Sequence, residues 1–235
     1  MRAILVMNSK GGCGKSTLAT NLAAFYARAG QSVVLADFDP QASSLQWIEA
    51  RAPDRPRIEG LAGFKPGFRL PREADTVILD APAAVHGADM TALVRRAQTI
   101  LIPVLPSATD MRAAARFVRD LLLVGKVERK ETRVATVANR VPETPALKRA
   151  AEIMLGSVDI PYRSITGQIY RPLEQFLTRL RIPFVARLGD SPSYALADAR
   201  GLGICELGDA RSVWDCVHWR PLLDWLDSRQ SLPRA

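Results

Sequence analysis

Short apolar runs alternate with longer segments of helical periodicity along this chain. The runs at 3–7, 32–36, 76–80, 99–104, 133–138 and 183–187 predict strands. Periodic segments predict helices near 15–29, 41–51, 88–96, 110–124, 144–155, 168–180, 193–201 and 211–228. Apolar strands alternating with helices predict an α/β fold, a mostly parallel twisted sheet with helices on both faces. Ligands of such sheets bind at the carboxyl ends of the strands. The stretch 52–74 is rich in proline, glycine and arginine and is read as a surface excursion, because the sheet resumes after it. No internal repeat or low-complexity tract is seen, and residues 1–235 are read as one domain.

One junction carries chemistry. Ala3-Ile4-Leu5-Val6-Met7 leads into Ser9-Lys10-Gly11-Gly12-Cys13-Gly14-Lys15-Ser16-Thr17, and that run opens the helical pattern Leu18-Ala19-Thr20-Asn21-Leu22. Strand, glycine-rich turn and helix form the setting of a phosphate-binding P-loop. Gly11, Gly12 and Gly14 let backbone N–H groups converge on an anion without Cβ interference. The helix N-terminus adds partial positive charge. In such a loop Lys15 reaches the β- and γ-phosphates and the Ser16 hydroxyl ligates Mg²⁺. Cys13 fills the variable slot of the loop as a small, tolerated side chain. The standard pattern asks for glycine where this chain has Ser9; in exchange Lys10 precedes the double glycine. That is K-G-G-x-G-K-[ST], the deviant Walker A pattern.

Two further apolar strands end in carboxylates. Val33-Val34-Leu35-Ala36-Asp37-Phe38-Asp39-Pro40-Gln41 closes in D-x-D-P-Q, and Val77-Ile78-Leu79-Asp80-Ala81-Pro82 has the form of a Walker B strand. With the P-loop, these segments resemble the ParA/MinD family of deviant-Walker ATPases, across most of the chain and most strongly in its first half. The resemblance implies a single-domain P-loop NTPase with ATP and Mg²⁺ as cofactors. It implies that Asp80 holds Mg²⁺ through water, that Asp37 sits beside the metal and that Thr17 reaches the α-phosphate. Asp39 resembles the family residue that orients the attacking water; its alternative is a helix cap. Asn139 ends a strand where the family contacts adenine, with an amide able to pair with N6 and N7; its alternative is a turn residue. Asp190 is a second candidate for the same pocket. Lys10 is implied to act in trans on a partner's phosphates, like a supplied arginine finger, so that ATP joins two protomers face to face. The chain departs from the family at Ala84, where a glycine often follows the Walker B proline in a loop that shifts with nucleotide state.

Charge changes the picture. The net charge of +8 favours polyanionic partners. Part of the excess lies in the second half, in Lys148, Arg149, Arg163, Arg171, Arg179, Arg181, Arg187 and Arg200. No apolar stretch is long enough for a transmembrane helix, and the N-terminus lacks a secretory pattern. Three cysteines, Cys13, Cys205 and Cys216, without CxxC spacing fit a reduced cytoplasm and argue against a disulfide framework or a zinc site. His86 and His218 are isolated from metal-ligand company. The C-terminal segment 211–228 is amphipathic and aromatic, but Asp215, Asp224, Asp227 and Pro221 interrupt it. It is read as a helix docked on the body rather than a membrane anchor.

With these features, the resemblance implies a cytoplasmic, nucleoid-associated ATPase of the short class, without an N-terminal helix-turn-helix. Its ATP-bound homodimer would bind nonspecific DNA and position or segregate a plasmid, a chromosome region or a carboxysome-like organelle. A cargo-linked partner of ParB-like or carboxysome-adaptor type would stimulate a slow hydrolysis. Two alternatives stay open: a metabolic ATP-dependent enzyme of the dethiobiotin-synthetase kind, which has no need of Lys10, and a MinD-like regulator of division at the membrane surface. Iron–sulfur chemistry is disfavoured, because no cysteine lies near Asp80.

Overall fold

The computed structural model describes residues 1–123, 132–142, 167–179 and 181–233. The strands are β1 (Arg2–Val6), β2 (Val33–Asp37), β3 (Ile58–Ala62), β4 (Thr76–Asp80), β5 (Thr99–Val104), β6 (Arg133–Val141) and β7 (Phe184–Gly189). The helices are α1 (Lys15–Arg28), α2 (Ser43–Glu49), α3 (Gly87–Val94), α4 (Ala108–Leu123), α5 (Gly167–Arg179), α6 (Ser193–Asp198), α7 (Ala210–Val217) and α8 (Arg220–Asp227). The predicted helix at 144–155 lies outside the described residues.

One seven-stranded sheet runs in the order β3-β2-β4-β1-β5-β6-β7, and every strand pairing in it is parallel. Alternation along the strands splits the core. Ala3, Leu5, Val34, Ala36, Val77 and Leu79 face one layer, with Met90 and Leu93 of α3, Phe117 and Val118 of α4, and Leu173 and Leu177 of α5. Ile4, Val6, Val33, Leu35 and Ile78 face the other, with Leu18 and Leu22 of α1, Trp47 of α2, and Leu222 and Leu226 of α8. Strands buried on both faces explain why the apolar runs are continuous rather than alternating.

The stretch 52–74 corrects the reading of that segment, because it contains a strand. β3 pairs in register with β2 from Val33↔Ile58 to Asp37↔Ala62. Its sequence, Ile58-Glu59-Gly60-Leu61-Ala62, hides the strand because it lies at a sheet edge with Glu59 and Gly60 exposed. Gly60 is also where α2 closes on the sheet: a Cβ there would stand 2.9 Å from Ile48 Cδ1.

The C-terminal segment is two helices, not one. α7 ends before Trp219, and Pro221 starts α8 in the first turn, where its missing N–H costs nothing. Leu222 and Leu226 are fully buried. Folding also brings Cys205 and Cys216 to a Cα separation of 5.2 Å as a disulfide. The cysteine count and spacing argued against such a bridge; the return of α7 onto the 204–206 turn makes it. No helix among the described residues is long and apolar enough to cross a membrane.

Candidate functional site

β1 is flanked by β4 and β5, so the loop that leaves it emerges at the middle of the carboxyl edge. Gly12 and Gly14 carry φ of +72° and +90°, a region where a side chain is strained. At Gly14 the space is closed as well, since a Cβ would stand 2.0 Å from Asn139 Nδ2. The loop folds around the Lys10 carbonyl, which accepts from Lys15 Nζ and from Cys13 Sγ, each at 3.2 Å. Gly11 and Gly12 are exposed, Lys10, Ser16 and Thr17 are half-buried, and Cys13 and Lys15 are buried. Burial raises the Cys13 thiol pKa against the opposing pull of Lys15, so Cys13 fills the loop as a neutral thiol. The Lys10 ammonium makes no hydrogen bond or ion pair among the described residues.

The two carboxylate strands lie side by side, with Asp37 and Asp80 direct register partners. Their environments separate their tasks. Asp37 is fully buried, and its two oxygens accept the Asp39 and Ser44 N–H groups at 2.9 Å. Burial raises its pKa against these donors. Asp37 thus holds the turn that leads into α2 and accepts an N–H from the first turn of that helix. Asp39 is half-buried, and its Oδ1 accepts the Gln41 N–H at 3.0 Å.

Asp80 is 1 % exposed. Burial pushes its pKa up to about 6, while the nearby Ser44 and Ser16 hydroxyls pull it down. Ser44 Oγ donates to Oδ2 at 2.6 Å. Oδ1 is buried with no hydrogen-bond partner; the Ser16 hydroxyl faces the carboxylate without closing a bond to that atom. A buried carboxylate oxygen left without a donor beside a serine hydroxyl fits a hard cation that takes few protein oxygens and keeps its own water, as Mg²⁺ does.

Sequence reasoning missed two residues here. Ser44 joins Asp37 to Asp80 through its backbone N–H and its hydroxyl. Its signal was a hydroxyl residue in the first turn of the helix after D-x-D-P-Q. Asn21, in the second turn of α1, donates to the Thr17 carbonyl and accepts from the Ile204 N–H at 2.6 Å, tying the phosphate-facing helix to the C-terminal segment.

Asn139 reaches the site by an irregularity of β6. The register with β7 shifts between Ala138 and Val141, and Arg140 takes φ +51°. Asn139 is thereby turned onto the loop, where Nδ2 donates to the Cys13 carbonyl at 2.9 Å. Its Oδ1 and second amide hydrogen lie outside that bond. Asp190 stands beside the same strand end: its N–H donates to the Val141 carbonyl and its carboxylate pairs with Arg140 at 3.0 Å. Both side chains of that pair are about half exposed or more, at 60 % and 49 %. Ala84 adopts φ +56°, the conformation a glycine would take there, and its N–H donates to the Ser9 carbonyl at 3.2 Å. The loop after β4 is therefore latched to the loop after β1.

Comparison with known proteins agrees with this fold. The CobQ/CobB/MinD/ParA nucleotide-binding domain matches residues 4–171. The chain is 29 % identical over 170 residues to a maintenance of carboxysome distribution protein A of Halothiobacillus neapolitanus, covering 67 % of this chain and 75 % of that protein. It is 33 % identical over 137 residues to the chromosome-partitioning ATPase Soj of Thermus thermophilus, covering 44 % of this chain and 55 % of that one. Among solved structures, a Cyanothece McdA in complex with ATP superposes with a TM-score of 0.66 at 16 % identity, over 94 % of this chain and 96 % of that one. The match over residues 4–171 makes this chain a member of the CobQ/CobB/MinD/ParA nucleotide-binding family.

Proposed function

We propose that this protein is an Mg-ATP-dependent dimerising ATPase that positions or segregates an intracellular cargo on nonspecific DNA. The observation that carries the reading is Lys10: a second loop lysine whose ammonium is unengaged among the described residues, beside a complete P-loop and two carboxylate strands. Relatives named for carboxysome distribution and chromosome partitioning support the cargo class. A cargo-linked partner stimulates hydrolysis. The apolar face of α8 is spent on the core, which speaks against a membrane role for that helix. A cytoplasmic, nucleoid-associated location follows from the DNA reading.

In this reading the chain supplies positioning and charge rather than covalent chemistry. Gly11, Gly12, Cys13 and Gly14 present backbone N–H groups to the phosphates. Lys15 neutralises charge at the β- and γ-phosphates, and Thr17 turns its hydroxyl to the α-phosphate. Ser16 and Asp80 would hold Mg²⁺, while Asp37 keeps the neighbouring turn in place. The metal, when bound, neutralises charge developing on the transferred phosphoryl group. Asp39 orients the attacking water. Asn139 and Asp190 form the nucleoside end of the site. Lys10 completes it from the other protomer.

Lys10→Ala tests this directly. The variant is expected to bind a non-hydrolysable ATP analogue as the wild type does and to stay monomeric by light scattering. A variant that dimerises like the wild type removes the in-trans role and returns weight to a metabolic enzyme of the same fold.

A further inference from the structure

A second group of basic residues lies in the first half of the chain, apart from the arginines that the sequence singled out. The segment after β3 is not a loose excursion. Phe68 N–H donates to the Lys65 carbonyl at 3.4 Å, and Gly67 takes φ +79°. Lys65-Pro66-Gly67-Phe68 is thus a turn with proline second and a left-handed glycine third, the type II arrangement. The turn is pinned from below. The Phe68 ring meets the Phe38 ring edge-on at 5.2 Å, and a Cβ on Gly63 would stand 2.8 Å from Phe38. It is flanked from the side by Arg96, whose guanidinium lies 5.7 Å from the Phe68 ring centroid.

Lys65, Arg69, Arg72, Arg95 and Arg96 are all exposed. None of them makes an ion pair among the described residues. Of the neighbouring acids, Asp75 already accepts the Ser32 N–H, leaving Glu73. Arg95 and Arg96 also complement the dipole at the end of α3, but that does not account for the three cations on the turn. Of the C-terminal arginines, Arg149 and Arg163 lie outside the described residues. Arg187 is paired with Glu174 at 2.7 Å and lies over Phe184, while Arg171, Arg179, Arg181 and Arg200 are exposed as well; the turn differs from them in packing, through Phe68, on Phe38 beside Asp39.

We propose that the turn 65–72 together with Arg95 and Arg96 is a contact surface for the phosphate backbone of duplex DNA. Four of the five cations are arginine, the residue whose planar fork suits phosphate oxygens. Phe64, 36 % exposed, is the one large apolar side chain exposed in the segment, so the surface lacks the apolar centre that a protein partner needs. The surface is joined to the nucleotide site through Phe38, the residue between Asp37 and Asp39. Phosphates gripped at Lys65 and Arg69 therefore bear on the segment that carries Asp39. This inference rests on the DNA-binding reading above and names where the DNA lies.

The test uses the full chain with Mg-ATP and a random-sequence duplex across a salt series. In the triple variant Lys65→Gln, Arg69→Gln, Arg72→Gln the slope of log K against log salt should shrink by about three for each protomer in contact, with binding weakened at least about tenfold at moderate salt. Arg96→Lys, which keeps the charge and loses the fork, should weaken binding less. A control variant, Arg171→Gln with Arg179→Gln on α5, should match the wild type. If the triple variant binds as the wild type does, or the control loses binding instead, this surface assignment is overturned while the DNA reading stands. If the wild type binds no duplex at any salt, the DNA reading fails and the surface with it. If poly-glutamate competes for the wild type as effectively as the duplex, the surface belongs to an acidic protein and the proposal is overturned.

Discussion

Asp80→Asn is expected to stabilise the metal-free protein and to abolish its turnover. The carboxyl of Asp80 is 1 % exposed, and burial raises its pKa from 3.8 to about 6. Ionising it in the fold then costs about 3 kcal/mol relative to the unfolded chain, at about 1.4 kcal/mol for each pH unit. The sign follows from proton linkage. Between pH 3.8 and about 6 the native state holds a proton that the unfolded state has released. Stability is therefore highest, as far as this group goes, below the unfolded value; it falls as pH rises through the folded value, and the full cost stands at neutral pH. Asparagine has the same shape, carries no charge, and keeps an oxygen to accept from Ser44. Urea denaturation of chelator-treated protein at several pH values measures the effect. The variant should exceed the wild type by up to about 3 kcal/mol near pH 7.5, and the difference should vanish by about pH 4. Adding Mg-ATP should stabilise the wild type much more than the variant, which has no charge to hold the metal. A variant less stable than wild type at neutral pH, or a gain independent of pH, would refute the reasoning.

Ala84→Gly should raise stability by about 1 kcal/mol, because the left-handed backbone at φ +56° penalises a Cβ; thermal denaturation reads it, and an unchanged or lower midpoint contradicts it. Asn139→Ala should weaken both ATP and GTP by about five- to tenfold through the lost bond to the Cys13 carbonyl, and ATP further through the lost base contact. A loss confined to ATP in calorimetric titration would make Asn139 a base reader alone. Lys10→Ala should keep nucleotide and lose dimerisation, as set out above.

The parts of the site legible in the sequence are those in which one short segment carries both the strand and its chemistry. β1 with Lys10–Thr17 is such a case, and so are the strands ending at Asp37 and Asp80. What stayed hidden depends on residues distant in the chain. Ser44 matters because Asp37 and Asp80 are register partners on adjacent strands, a relation that no local pattern records. Asn139 meets Cys13 across 126 residues, through a bulge whose position the apolar run does not mark. β3 escaped because edge strands tolerate glycine and charge, so Glu59 and Gly60 broke the apolar signal. The C-terminal amphipathic pattern was clear, but its division between α7 and α8 turned on how Pro221 and the Cys205–Cys216 bridge pack.

The account stands on ATP joining two copies of the chain, with hydrolysis releasing them. Asp39→Ala isolates that step, because the phosphate cradle persists while the attacking water loses its orienting carboxylate. Light scattering of this variant in Mg-ATP is the most direct measurement. A stable particle of twice the 25.7 kDa chain mass is expected, returning to the monomer when ADP replaces ATP. A variant that stays at 25.7 kDa with ATP bound, or that turns over as fast as the wild type, would contradict it.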